Sequence, residues 1–209
     1  MLGDVEGVPG PAVVKSWLDV DDEFHRALRY YIETRSPVSW TISDYGEHFA
    51  DTLDVLYSDS PEVGELAMLE WTLRRAFDGP DGTSVTAASL MQEIDWDLAH
   101  IRFVPTLRVF PVRTNCGALW TAMASETVPP PAEFLKHAAA IRVWRDGFVC
   151  RFNTIDELEM RALNYMANGV SFADLCSNMA NLLGSDLGTS TAGDLLATWI
   201  GEGLVHAIA

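Results

Sequence analysis

Cysteine is scarce: three in 209 residues (Cys116, Cys150 and Cys176), an odd count that suits no simple disulfide framework. No two of them form CxxC, so the commonest thiolate metal and redox motifs are missing and a reducing cytoplasm is the expected home. Positive charge is scarce as well, with 14 Lys+Arg against 30 Asp+Glu and a formal net charge of −16. A body this acidic repels phosphate backbones, which disfavours general binding of DNA or RNA. No apolar run approaches the roughly 18 residues a bilayer-spanning helix needs, so no membrane partner is expected. Residues 1–11 have no basic stretch leading into an apolar one, so no signal peptide is expected either.

Motifs for chemistry are also missing. The five histidines, His25, His48, His100, His137 and His206, are scattered, and none pairs with another His or a Cys at helical spacing. There is no GxGxxG, no Walker loop and no GxSxG, and no cysteine has a neighbouring His to activate it. We therefore expect no catalytic residue, no metal ligand and no cofactor in this chain. What the chain does have is a composition able to build a core: 48% hydrophobic and 21% charged residues.

Charge is distributed unevenly. Residues 1–100 carry 20 acidic and 6 basic side chains, and residues 101–209 carry 10 and 8. Seven basic residues fall between 100 and 151 (Arg102, Arg108, Arg113, Lys136, Arg142, Arg145 and Arg151) against three acids, which suggests two lobes with a basic seam. The alternative is a solvated surface of mixed sign.

The first half reads as helices. Acids at 21–23 favour a helix start, Phe24, Leu28 and Tyr31 give it a stripe, and Pro37 ends it. Ser43 is an expected N-cap for a second helix striped by Tyr45, Phe49, Leu53 and Leu56. A third starts at Pro61 and runs to Phe77, before the Asp78-Gly79-Pro80-Asp81-Gly82 breaker. In that helix Glu70 falls about 40° from Leu66, inside the arc of Leu69, Leu73 and Phe77. A carboxylate there needs a partner, so Glu70 is read as a structural buried acid, with a raised-pKa catalytic acid as the alternative.

The middle alternates with period two at 100–104 and 106–110, then carries a short helix with Leu119, Trp120 and Met123, then a proline run at 129–131. Runs at 140–145 and 148–152 around Asp146-Gly147 are a strong hairpin signal, and alternation offers an apolar face and a basic face. Helical patterns at 155–167, 172–182 and 192–200 follow, with a short apolar tail at 204–208. The expected fold is α+β and mostly helical: a helical N-terminal domain over 1–98, an extended connection and short helix over 99–131, and a winged-helix-like C-terminal domain over 132–209. The tryptophans Trp71, Trp120, Trp144 and Trp199 read as core anchors. An edge strand bearing Arg142, Arg145 and Arg151 could take an extended peptide by strand addition, although the hairpin could equally pack on its own helices with the arginines solvated.

Several segments together resemble a known family. Ser43-Asp44-Tyr45-Gly46 with Phe49 and Leu53, the helix from Leu66-Ala67-Met68-Leu69-Glu70-Trp71 to Ala76-Phe77-Asp78, Pro105-Thr106-Leu107-Arg108, and Val143-Trp144-Arg145-Asp146-Gly147 are similar to segments of the HvfC/BufC N-terminal family, often labelled DNA-binding. The Glu-Trp and Ala-Phe-Asp pairs are the most specific, and the resemblance covers roughly 13–205. The family's longer N-terminal helices are missing or reduced, and such a short form is most similar to the methanobactin-biosynthesis branch. The resemblance implies a partner subunit, itself without catalytic residues, of a TIM-barrel enzyme that carries a multinuclear iron site. Together the two modify cysteines of a ribosomally made precursor peptide, in the methanobactin case to an oxazolone and thioamide. It implies a heterodimer in which this chain stabilises the enzyme and helps to bind the leader peptide. Expected peptide contacts are Arg142, Arg145 and Arg151, and the expected seam to the enzyme is Arg102, Arg108 and Trp120, chosen from charge and position. The competing readings are a DNA-binding transcriptional regulator and a hydrolase using Glu70.

Overall fold

The computed structural model describes residues 3–5, 12–18, 22–36, 42–85 and 94–209. The chain is mixed α+β and mostly helical. In order it forms β1 (Gly3–Val5), α1 (Ala12–Trp17), α2 (Glu23–Thr34), α3 (Ile42–Tyr45), α4 (Phe49–Leu56) and α5 (Glu62–Asp78). Then come β2 (Ile101–Phe103), β3 (Arg108–Thr114), α6 (Cys116–Ala124), β4 (Phe134–Asp146) and β5 (Val149–Asp156). The chain finishes with α7 (Glu157–Ala167), α8 (Phe172–Leu183), α9 (Ser185–Gly201) and β6 (Val205–Ile208). Among the described residues no helix is long and apolar enough to cross a membrane.

A four-stranded antiparallel sheet in the order β1-β5-β4-β3 lies at the centre. Its hairpin turns at Asp146-Gly147, and Gly147 takes φ 60, the positive value such a turn asks for. Because side chains alternate, β4 serves two cores at once. Ile141 and Val143, with Cys150 and Phe152 of β5 and Val112 of β3, join α1, α2, α4, α5 and α6. Ala140 and Trp144, with Ile155, join α7, α8 and α9 and the separate pair β2-β6. From Ala140 to Trp144 β4 is thus covered on both faces, and the expected face of solvated arginines is not found at Arg142 and Arg145. Nor does the proline run at 129–131 divide the packing, since β3 before it pairs with β4 after it from Arg108↔Val143 to Thr114↔Phe134.

Local chemistry accounts for most element boundaries. Asp156 caps α7 by accepting from the Glu159 amide at 2.8 Å, and Ser171 caps α8 through the Asp174 amide at 3.1 Å. The helix expected from Ser43 to Leu56 is instead two. Ser43 lies within α3, and the chain turns at 46–48 before α4. Gly46 permits this turn against α5: a Cβ there would lie 3.0 Å from the Trp71 ring. Phe77, expected inside the apolar arc of α5, is 40% exposed at the helix end. The apolar tail is β6, paired with β2 rather than with the hairpin sheet.

Candidate functional site

The polar groups singled out by sequence converge on α5 and the hairpin, so the candidate site is built from these two elements. Glu70 is 7% exposed and its two oxygens accept the amides of Val13 and Val14 at 2.9 and 3.0 Å. Those are among the first amides of α1, which have no partner inside their own helix. The carboxylate therefore caps α1 from a distance in sequence, a role that suits a negative charge at a helix N-terminus. Glu65, one and a half turns earlier, is also buried. It accepts the amides of Arg113 and Thr114 at 2.6 and 3.1 Å and the Thr114 hydroxyl at 2.6 Å. This ties off the end of edge strand β3, beside the register shift between Val112 and Thr114.

Arg142 is the largest departure from expectation. Expected on a basic, peptide-facing surface, it is 1% exposed. Its guanidinium pairs with Glu159 at 3.1 Å and hydrogen-bonds Glu202, and it stacks over the Trp144 ring at 5.0 Å. Trp199 Nε1 donates to Glu159 at 3.0 Å, and Trp144 Nε1 donates to the Glu202 carbonyl at 2.9 Å. One cation, two carboxylates and two indoles thus lock β4, α7 and the end of α9 together. Burial pushes the Glu159 carboxyl up, against the opposing pull of Arg142 and Trp199.

Arg145, on the other face, is also committed internally. It donates to the carbonyls of Phe77 at 2.5 Å and of Gly79 and Pro80 at 3.1 Å, and to the Asp81 carboxylate at 2.7 Å. This closes the C-terminus of α5, where carbonyls lack helical partners and the dipole favours a cation. Its own amide donates to the Thr106 hydroxyl at 3.1 Å. Arg151 is part-buried, 3.7 Å from the Asp146 carboxylate. The three hairpin arginines are therefore not gathered on one open face.

The expected enzyme seam is also dispersed. Arg102 is exposed on β2, at a cleft of about 470 Å³ lined by His100, Phe103, Met166 and Gly169. Arg108 is exposed on β3 and donates to the carbonyls of Pro105 and Leu107 at 3.1 and 2.7 Å. Trp120 is 3% exposed and packs edge-on against Phe152, so it is an internal residue of the first core and not a surface contact of this chain.

Cys116 and Cys150 are fully buried, and burial raises both thiols, Cys150 to about 11, so neither is poised as a thiolate. Among the described residues no three His, Cys, Asp or Glu side chains are grouped to hold a metal ion. Sequence reading missed Glu65, Glu159 and Glu202. For Glu159 the Asp156-x-x-Glu159 spacing was a legible helix-start signature, but nothing local marks Glu65 as a partner of residues 48 and 49 positions away or Glu202 as a partner of one 60 positions away. No protein-family model matches the chain, and no curated protein matches it.

Proposed function

We propose that this chain is the non-catalytic partner subunit of a TIM-barrel, multinuclear-iron enzyme that modifies cysteines of a ribosomally made precursor peptide. In this reading the chain is cytoplasmic, forms a heterodimer with the enzyme, stabilises it and helps to seat the leader of the precursor. The iron and its oxygen chemistry belong to the partner.

The junction at the end of α5 carries the reading. Three segments that resemble the family, Ala76-Phe77-Asp78, Pro105-Thr106-Leu107-Arg108 and Val143-Trp144-Arg145-Asp146-Gly147, meet there through the bonds of Arg145 to Phe77 and Thr106. A fourth, Glu70-Trp71, holds α1 from the same helix. Motif residues that are remote in sequence yet bonded to one another form a framework, not an accident of composition. The framework's charged groups are spent on backbone amides and carbonyls. That favours a chain that supplies shape to a complex over one that supplies acid, base or nucleophile. Both Glu70 oxygens accept backbone amides, which supports a structural role for it over the hydrolase reading. The regulator reading is weakened because Arg142 and Arg145 face inward, leaving no basic patch on the hairpin for phosphates.

The test is co-expression with a TIM-barrel iron enzyme and a cysteine-containing precursor from the same gene neighbourhood. Copurification of the two proteins, and a mass change of the peptide only when both are present, are the expected results. A separate complex-free shift of promoter DNA with a steep salt dependence would replace this reading with the regulator.

A further inference from the structure

One cleft lies apart from the charged groups that hold the fold together. Its volume is about 470 Å³, ordinary for a small-molecule site, and it is lined wholly by described residues. One wall is β2, which is held on β6 where His100 and Ala209 exchange main-chain bonds of 2.8 and 3.0 Å. The other wall is the end of α7 and the turn after it. The Phe172 amide donates to the Ala99 carbonyl at 2.8 Å and so ties the start of α8 to the start of β2. The apolar lining is fixed in place: Ile101 and Met166 are buried, and Phe103 stands edge-on to Trp199 at 5.4 Å. The mouth is open, since a Cβ added to Gly169 would meet nothing within 4 Å.

The two polar sides of the cleft are opposite in sign. His100 and Arg102 are exposed and two residues apart on a strand, hence on one face. Eight of the twelve arginines pair with a carboxylate, whereas Arg102 makes no ion pair among the described residues. Across the cleft, the Asn168 and Gly169 amides occupy the carbonyls of Asn164, Tyr165 and Met166. The Ala167 carbonyl accepts no hydrogen bond among the described residues, and it lies at the negative end of the α7 dipole. A plain anion would be drawn to Arg102 and repelled by the helix end, and a plain cation the reverse.

We propose that this cleft binds an amino acid with an apolar side chain, as the zwitterion. Arg102, with His100 beside it, takes the carboxylate. The carbonyl end of α7 takes the ammonium group, and Phe103 and Met166 receive the side chain. A zwitterion satisfies both ends of the cleft without adding net charge to an acidic chain. The proposal is independent of the partner-subunit reading, and it gives Arg102 a ligand where the sequence suggested a seam.

The experiment titrates the full chain with L-leucine, L-methionine and L-phenylalanine, each to about 10 mM, and follows backbone amides by NMR. Saturable shifts at Phe103, Ala167 and Gly169 are expected with at least one of the three. For the tightest, the N-acetyl derivative lacks the ammonium charge and the amide derivative lacks the carboxylate. Each should bind about tenfold more weakly or worse. Arg102→Gln should weaken binding by a similar factor, and Arg35→Gln, which removes the same charge from another exposed arginine, should not. Ala167→Tyr, which puts a ring into the cleft from an exposed position, should abolish binding while the spectrum stays that of the folded chain. No saturable shift with any of the three amino acids overturns the proposal. Equal binding of the N-acetyl derivative or of inorganic phosphate also overturns it, by making the cleft a plain anion site. Unaltered binding in Ala167→Tyr, or equal weakening in Arg35→Gln, overturns it by placing the ligand elsewhere.

Discussion

Buried charge decides the behaviour of single residues here, and two carboxylates show how differently it can act. Glu70 meets two backbone amides that have no other partner in α1, so its loss is structural. Glu70→Ala is expected to cost about 2–4 kcal/mol in urea unfolding, and Glu70→Gln, which keeps one good acceptor, about half of that. In the proposed complex, both variants should still support peptide modification below the unfolding midpoint. A fully stable Glu70→Gln that supports none would make Glu70 catalytic. Glu159 is the opposite case: burial raises its pKa above the ordinary 4.5, while Arg142 pulls it down and Glu202 and Asp156 add repulsion. A raised acid binds its proton more tightly in the folded chain than in the unfolded one. Its favourable contribution is complete below about 4.5 and disappears as pH climbs through the folded value. The stability of the natural chain minus that of Glu159→Gln should therefore fall as pH goes from 4.5 to 7, as read by urea titrations at each pH. A difference that rises over that range would mean that attraction to Arg142 outweighs desolvation.

Between elements, one close approach is backbone on backbone. α8 and α9 are joined by Gly184 alone, at φ 92, and fold back so closely that a Cβ on Gly188 would lie 2.3 Å from the Ala180 nitrogen. Gly188→Ala must push the two helices apart and is expected to cost about 3 kcal/mol or more. Gly193 sits in the same helix with nothing within 4 Å of its added Cβ, so Gly193→Ala should stabilise by roughly 0.5–1 kcal/mol. Thermal melts of the two variants check the contrast, and equal effects would mean that the helices part freely. Sequence periodicity located α2, α5, α8 and the hairpin well, because each has a stripe or turn chemistry of its own. It failed where a contact from elsewhere intervenes: Gly46 breaks the α3–α4 run against Trp71, and α9 begins seven residues before its apolar pattern because Gly188, not an apolar side chain, meets α8. Glu70 was legible as an acid within an apolar arc, but not its partners, since α1 lies 56 and 57 positions away.

At the scale of the whole molecule the two lobes expected from charge and from the proline run share one sheet. Alternation in β4 was readable, but whether its polar side faces water depends on what packs there, and α7, α8 and α9 do. That is why Arg142 read as a surface residue and is instead caged by Glu159 and Glu202. The sharing has an energetic consequence. Losing the first core uncovers Ile141 and Val143, and losing the second uncovers Ala140 and Trp144, so neither layer can melt without exposing the strand that supports the other. A chain of this length need not unfold in one step, which makes cooperativity a test and not an assumption. Far-ultraviolet dichroism, which follows all helices, and tryptophan fluorescence, which follows all seven tryptophans, among them Trp120 in one core and Trp144 and Trp199 in the other, should give superimposable urea curves. Leu69→Ala in α5 and Leu175→Ala in α8, one buried in each core, should each lower stability by about 2–5 kcal/mol and move both curves together. If Leu69→Ala split either curve into two steps or moved the two curves apart, the layers would be independent and β4 would belong to one of them.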